Sequence, residues 1–166
     1  RLETIYHERG FLDFNIEAKK NFTNGKVYIT FEIDEGPSYS VGKVYFTGGT
    51  YFDNKKLLEG LQLEPGHVYH KRRAQAHVKQ LLKLYRENGF VDAAVVEQYK
   101  FTKDPNVVNL EYTIREGNQF RVGRVDITGN EQTQDKVIRR VLDEYGFTPG
   151  EFYNADLAPK EGNGKL

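Results

Sequence analysis

Glu35-Gly36-Pro37-Ser38-Tyr39-Ser40-Val41-Gly42-Lys43-Val44 returns 81 residues later as Glu116-Gly117-Asn118-Gln119-Phe120-Arg121-Val122-Gly123-Arg124-Val125. Phe46-Thr47-Gly48-Gly49 returns as Ile127-Thr128-Gly129-Asn130 at the same offset of 81. Tyr6-His7-Glu8-Arg9-Gly10-Phe11 recurs as Tyr85-Arg86-Glu87-Asn88-Gly89-Phe90 at an offset of 79. Pro65-Gly66 and Tyr69 recur as Pro149-Gly150 and Tyr153 at 84, which fits an insertion of three near Asp143 to Gly146. A period of this length exceeds any solenoid unit, so each repeat reads as a small domain.

One full period reads as strand, helix, helix, strand, strand. Val41 to Phe46 is a short strand ending at the Thr47-Gly48-Gly49 turn. Leu57, Leu58 and Leu61 give a short helix over 54–61, and Val137, Ile138, Val141, Leu142 and Tyr145 repeat it with Thr133 as N-cap and Asp135 in the first turn. The second helix runs from Lys71 to Glu87 with Ala74, Val78, Leu81, Leu82 and Tyr85 on one face, and Asn88-Gly89 stops it. Ala93 to Phe101 and Val107 to Arg115 are strands about a Lys103-Asp104-Pro105-Asn106 turn, the second alternating Val108, Leu110, Tyr112, Ile114 with polar residues. The expected class is α+β: tandem β-α-α-β-β units, each a three-stranded mixed sheet with two helices on one face. The expected division is a partial unit over 1–36 (helix, strand, strand), a complete unit over 37–118, and the start of a further unit (first strand and helix) over 119–166.

The chain has 166 residues with 24 Lys plus Arg against 24 Asp plus Glu, and this zero balance argues against a nucleic-acid binder. Aromatics at 13% exclude a disordered chain, and the absence of Cys excludes disulfides, Cys-bearing zinc sites and thiol chemistry. With Arg1 at the start and no Met, the chain reads as a piece of a longer one, and no apolar run reaches the ~20 residues that span a bilayer.

No catalytic constellation is legible. His67, His70 and His77 cluster without metal-ligand spacing and read as solvated histidines. Thr47-Gly48-Gly49-Thr50 lacks the lysine and spacing of a phosphate loop, Ser38 and Ser40 lack a nucleophile elbow, and the carboxylates are scattered. Hence no enzyme, cofactor or metal is expected. Lys71, Arg72, Arg73 and Lys79 form a basic stretch, read as the solvated face of a helix with anionic lipid headgroups as the functional alternative.

Three motifs in order, Val41-Gly42-Lys43-Val44-Tyr45-Phe46-Thr47-Gly48-Gly49, Tyr85-Arg86-Glu87-Asn88-Gly89-Phe90-Val91-Asp92-Ala93 and Leu110-Glu111-Tyr112-Thr113-Ile114-Arg115-Glu116-Gly117, carry a resemblance to POTRA domains, which stand in tandem ahead of outer-membrane β-barrels. The likeness is to the barrel-assembly BamA type; two-partner secretion transporters and organelle import channels carry similar domains. It implies a periplasmic location, a C-terminal membrane barrel, and unfolded outer-membrane proteins and accessory assembly lipoproteins as partners. It also implies that the second strand lies at a sheet edge. Carried onto this chain, the edge is Ala93, Ala94, Val95, Val96, Glu97, Gln98, Tyr99 and Lys100, and in the first repeat Asn15, Ile16, Glu17 and Ala18. Such an edge accepts a visiting strand through main-chain bonds largely blind to sequence. A rigid docking spacer without substrate contact is the competing reading. The two partial units together approach one period, so head-to-tail self-complementation between molecules is a further expectation.

Overall fold

The period recurs as structure. The computed structural model describes residues 2–157. In chain order the elements are α1 (Leu2–Glu8), β1 (Asn15–Thr23), β2 (Lys26–Asp34), β3 (Ser40–Thr47), α2 (Asn54–Leu58), α3 (Lys71–Glu87), β4 (Ala94–Phe101), β5 (Val107–Arg115) and α4 (Asp135–Glu144).

The central unit is a three-stranded mixed sheet of order β3-β5-β4, with β3 parallel and β4 antiparallel to β5. β5 is the middle strand because it pairs with both β3 and β4, and the alternation read in 107–115 turns one face of it into the core: Val108, Leu110 and Tyr112 are fully buried and Ile114 nearly so. Ala74, Leu81 and Tyr85 of α3 and Leu57 of α2 close the same core. Removing the Val, Leu and Ile side chains among these from water stabilises the unit by ~1.5–3 kcal/mol each before ordering costs. The helix over 54–61 is shorter than its apolar spacing suggests. Asp53 caps it, accepting the Lys56 amide at 2.7 Å, and the chain leaves the helix before Gly60, whose φ is +74°.

Three sequence expectations are corrected. His77 is not solvated: it is 1% exposed, on the stripe with Ala74 and Leu81, and its Nε2 lies 3.0 Å from the Leu57 carbonyl oxygen. That backbone carbonyl, at the end of the short α2, needs a donor, and a buried imidazole supplies one. Second, α4 begins after Gln134, not Thr133, and neither side chain caps it. Asn130 instead ties the loop, donating to the Thr133 carbonyl at 3.0 Å and to Asp135 at 2.7 Å. Third, the stretch after Phe120 does not form the strand that repeats β3. Its one bridge joins Arg121 to Phe152, because no described strand lies beside it as β5 lies beside β3. Residues 158–166, including the Lys160 to Lys165 tail, lie outside the described residues.

The first repeat presents α1 and a two-stranded sheet of β1 and β2. The register pairs Ile16 with Ile33, Ala18 with Phe31, Lys20 with Ile29 and Phe22 with Val27, so these residues share one face. Most are apolar, yet Phe22 is 73% and Phe31 58% exposed. The opposite face is polar and carries the Lys19–Glu32 ion pair.

The joints between repeats are built alike. The Tyr39 amide donates to the Gly10 carbonyl at 2.8 Å and the Phe120 amide to the Gly89 carbonyl at 2.8 Å. The Tyr69 amide bonds Tyr39 at 2.9 Å and the Tyr153 amide bonds Phe120 at 3.0 Å. Short bridges, Phe11 to Ser38 and Phe90 to Gln119, lie at the same places. Arg72 adds a charged link to Glu8 across the first joint at 2.7 Å.

Candidate functional site: an open sheet edge

The central sheet has two edges, and they differ. The outer side of β3 is occupied where the strand begins. The Val41 amide donates to the His67 carbonyl at 2.8 Å, the Gly66 amide to Val41 at 2.7 Å, and Ser40 bridges Val68. A register irregularity between Val41 and Val44 bends the remainder. A capped and bulged edge is a poor template for another strand. β4, by contrast, pairs only with β5 among the described residues, from Ala94 opposite Arg115 to Phe101 opposite Val108.

The predicted site residues fall on this strand or its threshold. Ala93 precedes the ladder and is buried, and Val95 points into the core at 8% exposure. Val96, Gln98, Tyr99 and Lys100 are exposed, as is Phe101. The aromatic rings form a row: Phe101 lies edge-on to Tyr99 at 5.7 Å and to Tyr39 at 5.3 Å, and Tyr99 to Tyr69 at 5.6 Å. Lys100 is ion-paired to Glu111 of β5.

Glu97 is the exception on the inner face. It accepts the Tyr69 hydroxyl at 3.1 Å. Burial pushes its carboxyl above the usual range, opposed by the Tyr69 bond and the Lys71 charge. Burial, with the charge of Glu97, pushes the Tyr69 hydroxyl well up as well. An inward charge on an edge strand is a device that discourages permanent pairing with another sheet.

In the first repeat, Asn15, Ile16, Glu17 and Ala18 lie in β1, paired on one side with Asp34, Ile33, Glu32 and Phe31. Their other side has no strand among the described residues. The predicted basic residues all lie on α3. Lys71, Arg72 and Arg73 occupy the first turn of α3 and Lys79 lies two turns on, all exposed, but Arg72 is engaged by Glu8. This first turn has no acidic residue and no side-chain cap, against the preference of a helix N-terminus for negative charge. Among the described residues no group of three His, Asp or Glu could hold a metal ion.

Sequence reasoning missed Glu116. Its Oε1 accepts the Thr50 amide at 2.8 Å, the Tyr51 amide at 2.8 Å and the Tyr85 hydroxyl at 3.0 Å, while Oε2 accepts the Thr50 hydroxyl at 3.0 Å. Burial pushes its carboxyl up, but these four donors outweigh that and hold it below the usual range. The signal was present: Glu-Gly opens both copies of the repeated motif, and a carboxylate at the end of β5 is placed to pin the turn after β3.

The POTRA family model, described as the surface antigen variable number repeat, matches residues 39–117 and 120–160. The outer membrane protein assembly factor BamA of Buchnera aphidicola is 28% identical over 160 residues, 94% of this chain and 25% of that protein. BamA of Neisseria meningitidis is 24% identical over 164 residues, 92% of this chain and 20% of that protein. The chain thus spans a quarter or less of these relatives. Among solved structures, Haemophilus influenzae BamA POTRA3-5 aligns with a TM-score of 0.61 at 18% identity, covering 93% of this chain and 61% of that one. That likeness concerns the fold.

Proposed function

We propose a function on one premise: the chain belongs to the POTRA family, as tandem domains of the BamA-type outer-membrane-protein assembly factors. It is a non-catalytic periplasmic docking module of an assembly factor whose own membrane barrel follows it. Its units divide at 36/37 and 118/119. It receives extended segments of unfolded barrel proteins, or strands of accessory lipoproteins, along β4 and, in the first repeat, along Asn15 to Ala18. The observation that carries this reading is the contrast between edges: β3 is capped by 66–68 and bulged, whereas the outer side of β4 is paired with no strand among the described residues. Main-chain bonds added there are worth only ~0.5–1.5 kcal/mol each, so a client is held weakly and released. The aromatic row of Tyr39, Tyr69, Tyr99 and Phe101 favours clients with alternating apolar side chains.

Titration with an extended peptide of alternating apolar and polar residues, read by amide shifts, tests this. Shifts confined to 94–101 and its β5 neighbours support it; shifts along 43–47 instead, or none, refute it and leave the rigid spacer. Adjacent residues of a strand point their N–H groups to opposite sides, so one of Gln98→Pro and Tyr99→Pro cuts only the free edge. The variant that keeps native circular dichroism is expected to lose peptide binding.

The unfavourably basic first turn of α3 supports a second contact, with anionic lipid headgroups through Lys71, Arg73 and Lys79. Sedimentation with vesicles containing phosphatidylglycerol should fall when these three are replaced by Gln. Unchanged sedimentation, or equal sedimentation with neutral vesicles, would refute that contact.

A further inference from the structure

β4 turns its side chains to two faces. Val95, Glu97, Tyr99 and Phe101 lie opposite Ile114, Tyr112, Leu110 and Val108 of β5, so they share the core face. Exposure along this row rises from 8% at Val95 to 37% at Tyr99 and 57% at Phe101. The row is apolar or aromatic except at Glu97.

The charge of Glu97 has no use inside the unit. Its Oε1 accepts the Tyr69 hydroxyl at 3.1 Å, but Tyr69 needs only an acceptor, which a neutral amide would supply as well. Among the described residues no donor reaches Oε2 and no cation is ion-paired with Glu97. Lys71, in the first turn of α3, favours the ionised carboxyl by its charge, yet it is exposed and stands off from it. Tyr112, directly across on β5, is buried, and its hydroxyl has no partner among the described residues. A half-buried carboxylate is costly to keep, and burial already pushes it above the usual range.

A strand laid along β4 removes the water that still serves Oε2. An apolar side chain beside Glu97 would leave the carboxylate stripped of water, and an acidic one would repel it. A Lys or Arg returns a charge-assisted hydrogen bond. Main-chain bonds alone do not fix the register, because a slip of two residues keeps every side chain on its face. One charge pair in an otherwise apolar row does fix it.

We propose that Glu97 selects the strand received on β4 and sets its register, by taking a Lys or Arg of that strand whose same-face neighbours, two and four residues away, are apolar or aromatic and lie beside Tyr99 and Phe101. This rests on the docking of extended segments at β4 proposed above. In a barrel strand the lipid-facing row is apolar with aromatic residues at its ends, and a basic residue is tolerated there only near the interface. The occupant is therefore the end of an unfolded barrel strand.

Short peptides alternating Val and Thr, symmetric about a central Val that is replaced by Lys, Gln or Glu, test this in either strand direction. Binding is read from amide shifts of 94–101 in the full chain. The Lys peptide is expected to bind about tenfold more tightly than the Gln peptide, and the Glu peptide more weakly than both. A peptide with its Lys at a neighbouring Thr position, on the opposite face, should lose that gain. Glu97→Gln keeps an acceptor for Tyr69 and should bind the Lys, Gln and Glu peptides alike. Equal binding of the Lys and Gln peptides by the wild type, a gain that survives moving the Lys to the other face, or a Lys preference that survives Glu97→Gln would overturn this inference and leave docking at β4 standing. No shift at 94–101 with any peptide would overturn both.

Discussion

Replacing Glu116 by Ala removes a carboxylate that gathers two amides and two hydroxyls. The Thr50 and Tyr51 groups are exposed and turn to water at little cost. The Tyr85 hydroxyl cannot, because Tyr85 is fully buried. Leaving that hydroxyl without an acceptor costs ~1–3 kcal/mol, and losing charge-assisted bonds to the turn adds about 1 kcal/mol, so Glu116→Ala should cost about 2–4 kcal/mol. Glu116→Gln keeps a carbonyl oxygen for the three donors at Oε1 and loses chiefly the charge, for about 1 kcal/mol. Tyr85→Phe should cost about 1 kcal/mol in the wild type and nothing, or less than nothing, beside Glu116→Ala, since the orphaned hydroxyl is then gone. The assay is denaturation by urea, followed by far-ultraviolet circular dichroism, in a double-mutant cycle. The pH dependence gives a second reading. The folded state holds this carboxyl below its ordinary value of 4.5. The stabilisation is therefore complete above that value and lost as pH falls through the folded one, where wild type and Glu116→Gln should converge. A cost below ~0.5 kcal/mol for Glu116→Ala, or an additive cycle with Tyr85→Phe, would refute the reasoning.

Burial lowers the His77 pKa below 6.5, only partly offset by the Leu57 bond. The fold should therefore lose stability as pH drops below 6.5 toward the folded value, and His77→Leu should flatten that slope in thermal melts between pH 7 and 5 while lowering stability at pH 7 by about 1 kcal/mol through the orphaned carbonyl. Glu97 acts in the opposite sense, since a raised carboxyl favours the fold at low pH and its contribution fades as pH rises through the folded value; Glu97→Gln should remove it. The Tyr112 hydroxyl is buried with no hydrogen-bond partner among the described residues, so Tyr112→Phe should be neutral or stabilising by up to ~1 kcal/mol in the same melts. Asp53→Ala removes the cap of α2 and should cost about 1 kcal/mol, with Asp53→Ser recovering most of it.

The architecture was legible where side-chain periodicity and burial coincide. Val108, Leu110, Tyr112 and Ile114 alternate because one face of β5 is core, and Ala74, Leu81 and Tyr85 lie on one face of α3 for the same reason. Polarity alone places His77 in solvent, but a polar residue on an apolar stripe is buried when a carbonyl needs it. Thr133 was read as a cap from its position alone, but the Asn130 side chain reaches the same turn first. The strand after Phe120 was expected from its likeness to β3, yet a strand is a property of a pair, and its described surroundings offer no partner. For the candidate site, composition and spacing alone do not mark β4 as the outer strand. A hairpin reads the same whichever strand is outermost, and it is the parallel pairing of β3 with β5 that decides it. Nor does local sequence reveal that 66–68 shields the other edge, since those bonds join residues far apart in the chain.

The likeness of the two joints has a geometric consequence. Equal linkages between equal bodies relate each body to the next by one rotation and one translation, and repetition of a single such step traces a spiral. With Tyr39 seated on Gly10 and Phe120 on Gly89 in the same way, the step that relates β1 to β4 would also carry β4 to its counterpart in the next unit. If extended segments dock on these strands as proposed, the spacing of the joints, more than the chemistry of any one strand, would set the length of chain that reaches from one to the next.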